Sequence, residues 1–349
     1  MNGLKDFARV SQTVGGDPAI TQGGGGNTSV KLDDEIMAVK ASGFRLSQMT
    51  EEEGYVLVRY NKIREYFNAL NLDRDVDIEK EGSDFIKQQV IQEKNPRGLR
   101  PSVEAGFHSI LGRVVIHTHS VYANLVCCAA AGKALMEKIF DGTGIHAIWV
   151  PYTHPGILLT ESIRSIADAY RSENGHGINA VFMENHGLIV TTDDAESCLL
   201  LHKEINDRIK EYLRLSEDFP ALSLRKADEN HYISGCRLLT EFFRGNTAGR
   251  DVFSLNIYPD HIVYLGSDIS FNGKGAKVDI NTETGEVSYH TGAADAKAAD
   301  ETLAAYIYVI STLNSLGLEI KTMAPRYVDL IKNWESEAYR KQLMKEFKA

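Results

Sequence analysis

The chain has 349 residues, enough for two domains or for one large domain with an appendage. Hydrophobic residues at 43% and charged residues at 25% give the balance of an ordinary globular protein, and a net charge of −10 argues against a nucleic-acid or anionic-membrane partner. No apolar run reaches membrane-spanning length, and the opening Met1-Asn2-Gly3-Leu4-Lys5-Asp6 lacks the apolar core of a signal peptide, so a cytoplasmic protein is expected.

In chain order, Leu4, Phe7, Ala8 and Ser11 predict a short helix that Gly15-Gly16-Asp17 ends. Gln22-Gly23-Gly24-Gly25-Gly26 is a glycine-rich turn running into a strand, and residues 36–40 and 55–60 read as further strands. Residues 61–99 are polar and charged, with one helix expected near 85–93. Arg100-Pro101-Ser102 opens a helix carrying Glu104 and His108. A β-branched strand at 114–116 runs into His117-Thr118-His119, followed by an apolar helix at 121–131. That helix holds Cys127 and Cys128. With Cys198 and Cys236 they form no C-x-x-C pattern, and all four read as reduced core residues. A strand at 146–150, a helix at 163–171, a strand at 179–183 and a long helix at 195–215 complete an alternating pattern. It predicts a three-layer α/β/α architecture for residues 1–217.

Polar residues at 216–228, with Pro220, mark the expected domain boundary. Beyond it, residues 218–349 predict a smaller α+β domain. Its expected elements are strands at 252–257 and 262–265, a hairpin of 277–280 with 287–290, and helices at 300–316 and 326–347.

Side chains at i and i+2 of a strand share a face, so His117 and His119 aim at one point. Two such imidazoles plus a third from elsewhere make the three-ligand set of a catalytic zinc with an open position. On spacing alone, two hydrogen-bonded core histidines explain the pair equally well. The glycine run, alone, is explained by a flexible surface loop.

Six motifs in order carry a resemblance. They are Gly26-Asn27-Thr28-Ser29, Ala41-Ser42-Gly43, Ser102-x-Glu104-x-x-x-His108, His117-Thr118-His119, Pro151-Tyr152 with Gly156, and Asn185-His186-Gly187. With them, residues 3–215 resemble the class II aldolase/adducin family. The resemblance implies one Zn²⁺ per subunit on His117, His119 and His186. It implies Glu104 as acid/base and as a possible fourth ligand at rest, with Mn²⁺, Co²⁺ or Fe²⁺ as substitutes for zinc. A ketose phosphate chelated by such an ion is set up for retro-aldol cleavage, with a carboxylate moving a proton at the reacting carbon. The same resemblance places the phosphate on Gly26, Asn27, Ser42, Gly43 and Ser102. Val103 stands where some sugar-phosphate aldolases carry a second polar contact. His108, four residues after Glu104, is expected to support it from the same helix face.

The family's second proton donor has no clear match. Tyr152 and His154 are candidates, against default readings as a turn tyrosine and a loop histidine. His146, His176, His202, His231 and His290 take surface or packing readings, and Asp260-His261, which could reach toward an active site, takes a turn as its default reading. Tyr258-Pro259-Asp260-His261 and Asn333-Trp334-Glu335-Ser336-Glu337 resemble features of longer bacterial members, where the extra domain would cap the site or build the oligomer. The implied activity is a zinc-dependent aldolase on a small-molecule sugar phosphate, assembled as a homotetramer. A sugar-phosphate 4-epimerase or dehydratase with the same zinc site, and a non-catalytic adducin-like assembly domain, are the alternatives.

Overall fold

In the computed structural model, which describes residues 2–273 and 275–332, the chain opens with α1 (Asn2–Gly15), β1 (Asn27–Lys31), β2 (Ile36–Lys40), β3 (Tyr55–Arg59), α2 (Tyr60–Asn68), α3 (Ile78–Gln88) and α4 (Ala105–Ile110). Then come β4 (Val114–Thr118), α5 (Val121–Cys127), α6 (Gly132–Phe140), β5 (Ala147–Val150), α7 (Ile157–Asn174), β6 (Ala180–Met183), β7 (Gly187–Thr192) and α8 (Ala195–Tyr212). The strands form one sheet in the order β3-β2-β1-β4-β7-β6-β5, antiparallel except for β5 beside β6.

Period-two alternation sorts the apolar residues of this sheet. Val115, Ile148, Val150, Val181, Met183 and Ile189 meet Phe107 of α4 and Leu159 and Ile163 of α7. Val114, Ile116, Ala180, Phe182, Leu188 and Val190 belong to the larger core. There α1, α5 and α8 contact the central strands and α6 contacts β5. The expected three-layer α/β/α arrangement is thus present. His117 has the parity of Val115, so it emerges on the α4 side.

The remainder holds β8 (Leu224–Asp228), β9 (His231–Ser234), α9 (Arg237–Phe243), β10 (Ile269–Phe271), β11 (Val278–Ile280), β12 (Val287–His290), α10 (Ala293–Ser315) and α11 (Pro325–Lys332), with a second sheet ordered β10-β11-β12-β9-β8. This is the expected smaller α+β region, and its predicted hairpin is β11–β12.

Several local expectations fail. Residues 252–257 and 262–265 are not strands. A 3-10 segment, Thr247–Ser254, and a π-helical turn, His261–Leu265, occupy those positions. Short apolar runs do not distinguish a strand from a buried helical turn. The β8–β9 hairpin begins in the stretch read as a polar boundary; β8 is largely exposed, β9 is half-buried throughout, and neither carries an apolar alternation. The helix expected near 85–93 is α3, which starts earlier because the Asp77 side chain accepts from Lys80 N–H at 3.0 Å and caps it. Helices α2 and α6 and strand β7 were not anticipated. The last predicted helix begins as α11, and Asn333-Trp334-Glu335-Ser336-Glu337 lies outside the described residues.

The smaller region is docked by main-chain groups. Asn185 Nδ2 donates to the carbonyls of Ile257 and Lys321, each at 2.8 Å, and Lys321 N–H donates to the Cys128 carbonyl at 2.7 Å. All four cysteines are free and buried, as expected. No helix among the described residues is long and apolar enough to cross a membrane.

Candidate metal centre

β4 carries His117 at its end, and His119 follows just past it. The third imidazole comes from the turn between β6 and β7, where Asn185 adopts φ 52° and so turns His186 back toward the sheet. Asn tolerates this left-handed conformation better than most residues because its short polar side chain can bond locally. The three rings converge. Their centroids are 4.9, 4.9 and 5.2 Å apart, and His117 Nε2 lies 3.1 Å from His119 Nε2. One ligand atom from each histidine lies within 4.8 Å of the others. Zn–N bonds in a tetrahedral site put ligand nitrogens roughly 3.3 Å apart, so these rings need only small adjustments to share an ion.

Glu104 stands at the N-terminus of α4, beside two of the three histidines. Its Oε1 is 3.3 Å from His186 Nε2 and 3.6 Å from His117 Nε2, and its Oε2 accepts from Asn27 Nδ2 at 3.0 Å. Burial alone would raise the Glu104 carboxyl. His117, the His186 hydrogen bond and His119 outweigh it and hold the group well below the usual carboxylate range. Burial pushes His117 well down, toward the neutral form. A divalent cation binds imidazoles in their neutral form and carboxylates in their ionised form. His117 Nδ1 meets the Leu188 carbonyl at 3.1 Å, which as a donor bond leaves Nε2 with its lone pair toward the centre.

The predicted phosphate residues lie beside these groups. Gly26, Asn27, Ser42 and Ser102 line a cavity of about 40 Å³ with Val103, Glu104, His119 and His186. Gly26 has φ 70°, and a Cβ there would stand 2.9 Å from the His117 carbonyl oxygen, so glycine is required on both counts. Asn27 Nδ2 also donates to Ser102 Oγ. Ser42 Oγ donates to the Pro101 carbonyl at 3.2 Å. Gly43 turns the chain beside Ser42 and does not line the cavity.

His108 is buried, and its Nδ1 pairs with Ser29 Oγ on β1 at 2.8 Å. Its reach is to the strand that carries Asn27. Burial drops it to about 3, so it stays neutral. Tyr152 packs on Tyr327 with centroids 4.7 Å apart, and its buried hydroxyl has no hydrogen-bond partner among the described residues. Pro155, not Tyr152 or His154, lines the cavity from this loop. Gly156 has its own role. Its neighbour Glu79 caps α7 by accepting from Ile157 and Leu158 N–H at 2.9 Å each, and a side chain at 156 would collide with that carboxylate.

Of two further residues at the site, Lys40 was not anticipated and Asp260 had a turn as its default reading. Lys40, at the end of β2, is 2% exposed, lines the cavity and donates to the Gly24 carbonyl at 3.1 Å. Its position just before Ala41-Ser42-Gly43 was the available signal. Asp260, read as part of a turn, reaches His119 Nδ1 with Oδ2 at 2.5 Å. Nothing local in the sequence links positions 141 residues apart.

Comparison with known proteins places this geometry in context. The model of the class II aldolase and adducin N-terminal domain matches residues 5–213. A curated Bacillus subtilis relative, the uncharacterized oxidoreductase YuxG, is 31% identical over 234 residues, covering 60% of this chain and 30% of the relative. The match therefore spans less than a third of that relative's length. Among solved structures, the N-terminal class II aldolase domain of a conserved Thermoplasma acidophilum protein is 24% identical, with 60% of this chain and 93% of that one covered at a TM-score of 0.49. An L-fuculose-1-phosphate aldolase from Thermus thermophilus is 14% identical, with 61% and 95% covered at a TM-score of 0.37.

Proposed function

The chain belongs to the class II aldolase and adducin family, and from that premise we propose a zinc-dependent lyase that cleaves a ketose phosphate by retro-aldol chemistry. The observation that carries the reading is the buried His117–His119–His186 triad with the Glu104 carboxylate at 3.3 and 3.6 Å from two of its nitrogens. The chemistry that a divalent cation supplies when bound there is Lewis acidity toward a carbonyl and toward the negative charge that develops as the neighbouring carbon–carbon bond breaks.

The protein's own groups do the rest. His117, His119 and His186 hold the ion through neutral nitrogens. Glu104 moves the proton at the carbon beside the carbonyl, and Asn27 orients it by donating to Oε2. Gly26, Asn27, Ser42 and Ser102 bind the phosphate. Lys40 supplies the local positive charge that a chain of net charge −10 needs for an anionic substrate. Gly43 shapes the turn that presents Ser42. The cavity of about 40 Å³ is far below the roughly 300 Å³ of a typical ligand pocket, so substrate entry requires its walls to part. Pro259, Asp260, Val263 and Ile331 are among those walls, and through them the smaller region caps the site.

The three converging histidines, with Glu104 beside two of them, disfavour a non-catalytic, adducin-like role. Family membership also carries the expectation of a homotetramer. The test is release of dihydroxyacetone phosphate from a panel of ketose 1-phosphates, with and without a chelator. Chelator-sensitive release supports the lyase and identifies the sugar class. No release from a protein that still carries its metal refutes it and turns the reading to epimerase or dehydratase chemistry at the same site.

A further inference from the structure

We infer that Asp260 is the positioning residue for His119, so that the metal centre is completed by a carboxylate from outside the family domain. The inference rests on the metal-centre reading above. Residues 5–213 contain His117, His119, His186 and Glu104, and the His117 ring is fixed from within that segment by the Leu188 carbonyl. The His119 ring is fixed differently. Its Nδ1 meets Asp260 Oδ2 at 2.5 Å, while its Nε2 lies 3.1 Å from His117 Nε2 at the point of convergence. A ring that donates Nδ1–H to a carboxylate is locked in the tautomer whose Nε2 lone pair faces the ion. The carboxylate also makes that nitrogen a stronger donor.

Asp260 is 2% exposed. A carboxylate so deeply buried is stable only when paired, and the His119 ring is a partner for it. The approach of the two side chains dictates a residue elsewhere. A Cβ at Gly25 would stand 2.9 Å from Asp260 Oδ2 and 3.0 Å from His119 Nδ1. Any side chain there would push against this contact, and this gives the third glycine of the run a specific reason.

The segment bearing Asp260 is itself held against the glycine loop. Gly24 N–H donates to the Tyr264 hydroxyl and Gly23 N–H donates to Glu301 Oε2, each at 2.9 Å. Arg45 pairs with the same Glu301 carboxylate. The smaller region thus grips two glycines of the loop and passes Asp260 beside a third to reach His119. Zinc affinity and docking of this region are therefore coupled.

The test uses the full chain, stripped of metal and titrated with Zn²⁺ against a chromophoric chelator. Asp260→Asn keeps the shape and removes the charge. Zinc affinity should fall about 10- to 100-fold, while the far-UV spectrum and melting midpoint of the metal-free chain stay at wild-type values. Gly25→Ala disturbs the contact from the opposite side without removing the carboxylate, and should lower affinity in the same direction. A measurement without variants is long-range ¹⁵N–¹H correlation of the zinc-loaded wild-type chain, which should show His119 protonated at Nδ1 and metal-bound through Nε2. Wild-type zinc binding with affinity unchanged in both variants, or His119 bound through Nδ1, overturns this inference alone. Failure of the wild-type chain to bind zinc overturns it together with the functional reading.

Discussion

Glu104→Gln separates proton transfer from metal binding. The residue is 8% exposed, and its two side-chain oxygens have different neighbours, so the outcome follows from geometry. Oε2 accepts from Asn27 Nδ2 at 3.0 Å, and an amide oxygen can take over that bond. The amide nitrogen then faces His186 Nε2 and His117 Nε2, which lie 3.3 and 3.6 Å from Oε1 in the native side chain. Size and hydrogen bonding are conserved, while the charge and the ability to accept a proton are lost. A positioned general acid/base contributes roughly 10²- to 10⁴-fold, so kcat should fall by that factor. In free-energy terms this is about 3–5 kcal/mol of transition-state stabilisation. The three histidines remain, so metal content should stay near that of the wild type. The assay is coupled detection of dihydroxyacetone phosphate, with metal measured by mass spectrometry on the same sample. Turnover within about threefold of wild type at full metal occupancy would remove Glu104 from the mechanism. Loss of metal together with turnover would instead make Glu104 a ligand first.

Other perturbations probe the remaining links. His117→Ala should lose metal and activity together, since it removes a ligand; activity that survives metal loss would contradict the site. Asn185→Ala leaves the carbonyls of Ile257 and Lys321 without their donor and strains a left-handed position, at a cost of about 2–4 kcal/mol. Faster amide exchange across 256–266 should report it, and unchanged exchange there would deny Asn185 its docking role. His202, whose Nε2 pairs with Thr118 Oγ1 at 2.8 Å, is pushed by burial down to about 4. Its folded-state value lies below that of a free histidine, so the unfolded chain takes up the proton first as pH falls. Stability is therefore fully present above about pH 6.5 and is lost on acidification, by about 2 kcal/mol between pH 7 and 5. His202→Gln should flatten that part of the urea-midpoint profile of the metal-free protein, and an unaltered profile would refute it. Light scattering should give a tetramer, and a monomer at micromolar concentration would contradict the family expectation.

Much of the site was legible because its rules are local. The β-branched run 114–116 predicted the strand, and the i, i+2 spacing of His117 and His119 at its end predicted that their rings converge. Glu104 beside a proline-opened turn, and Asn185-His186-Gly187 after a buried strand, supplied the other donors through ordered motifs. Where periodicity is silent the reading failed. The largely exposed β8 and half-buried β9 carry no alternation, and the apolar residues of the π-helical turn His261–Leu265 fit a strand as well as a buried helix.

By itself, the sequence determined which donor atoms exist and which of them share a strand face or a turn, because dihedral preferences and side-chain periodicity act over a few residues. Only the tertiary structure decided that Lys40 enters the cavity beside Ser42, that Gly43 does not line it, and that His108 bonds Ser29. It alone joined Asp260 to His119, and with that joining explained Gly25. The physical reason is that the packing of distant elements depends on the summed burial of both regions, and no short-range pattern records which side chains that packing brings into contact.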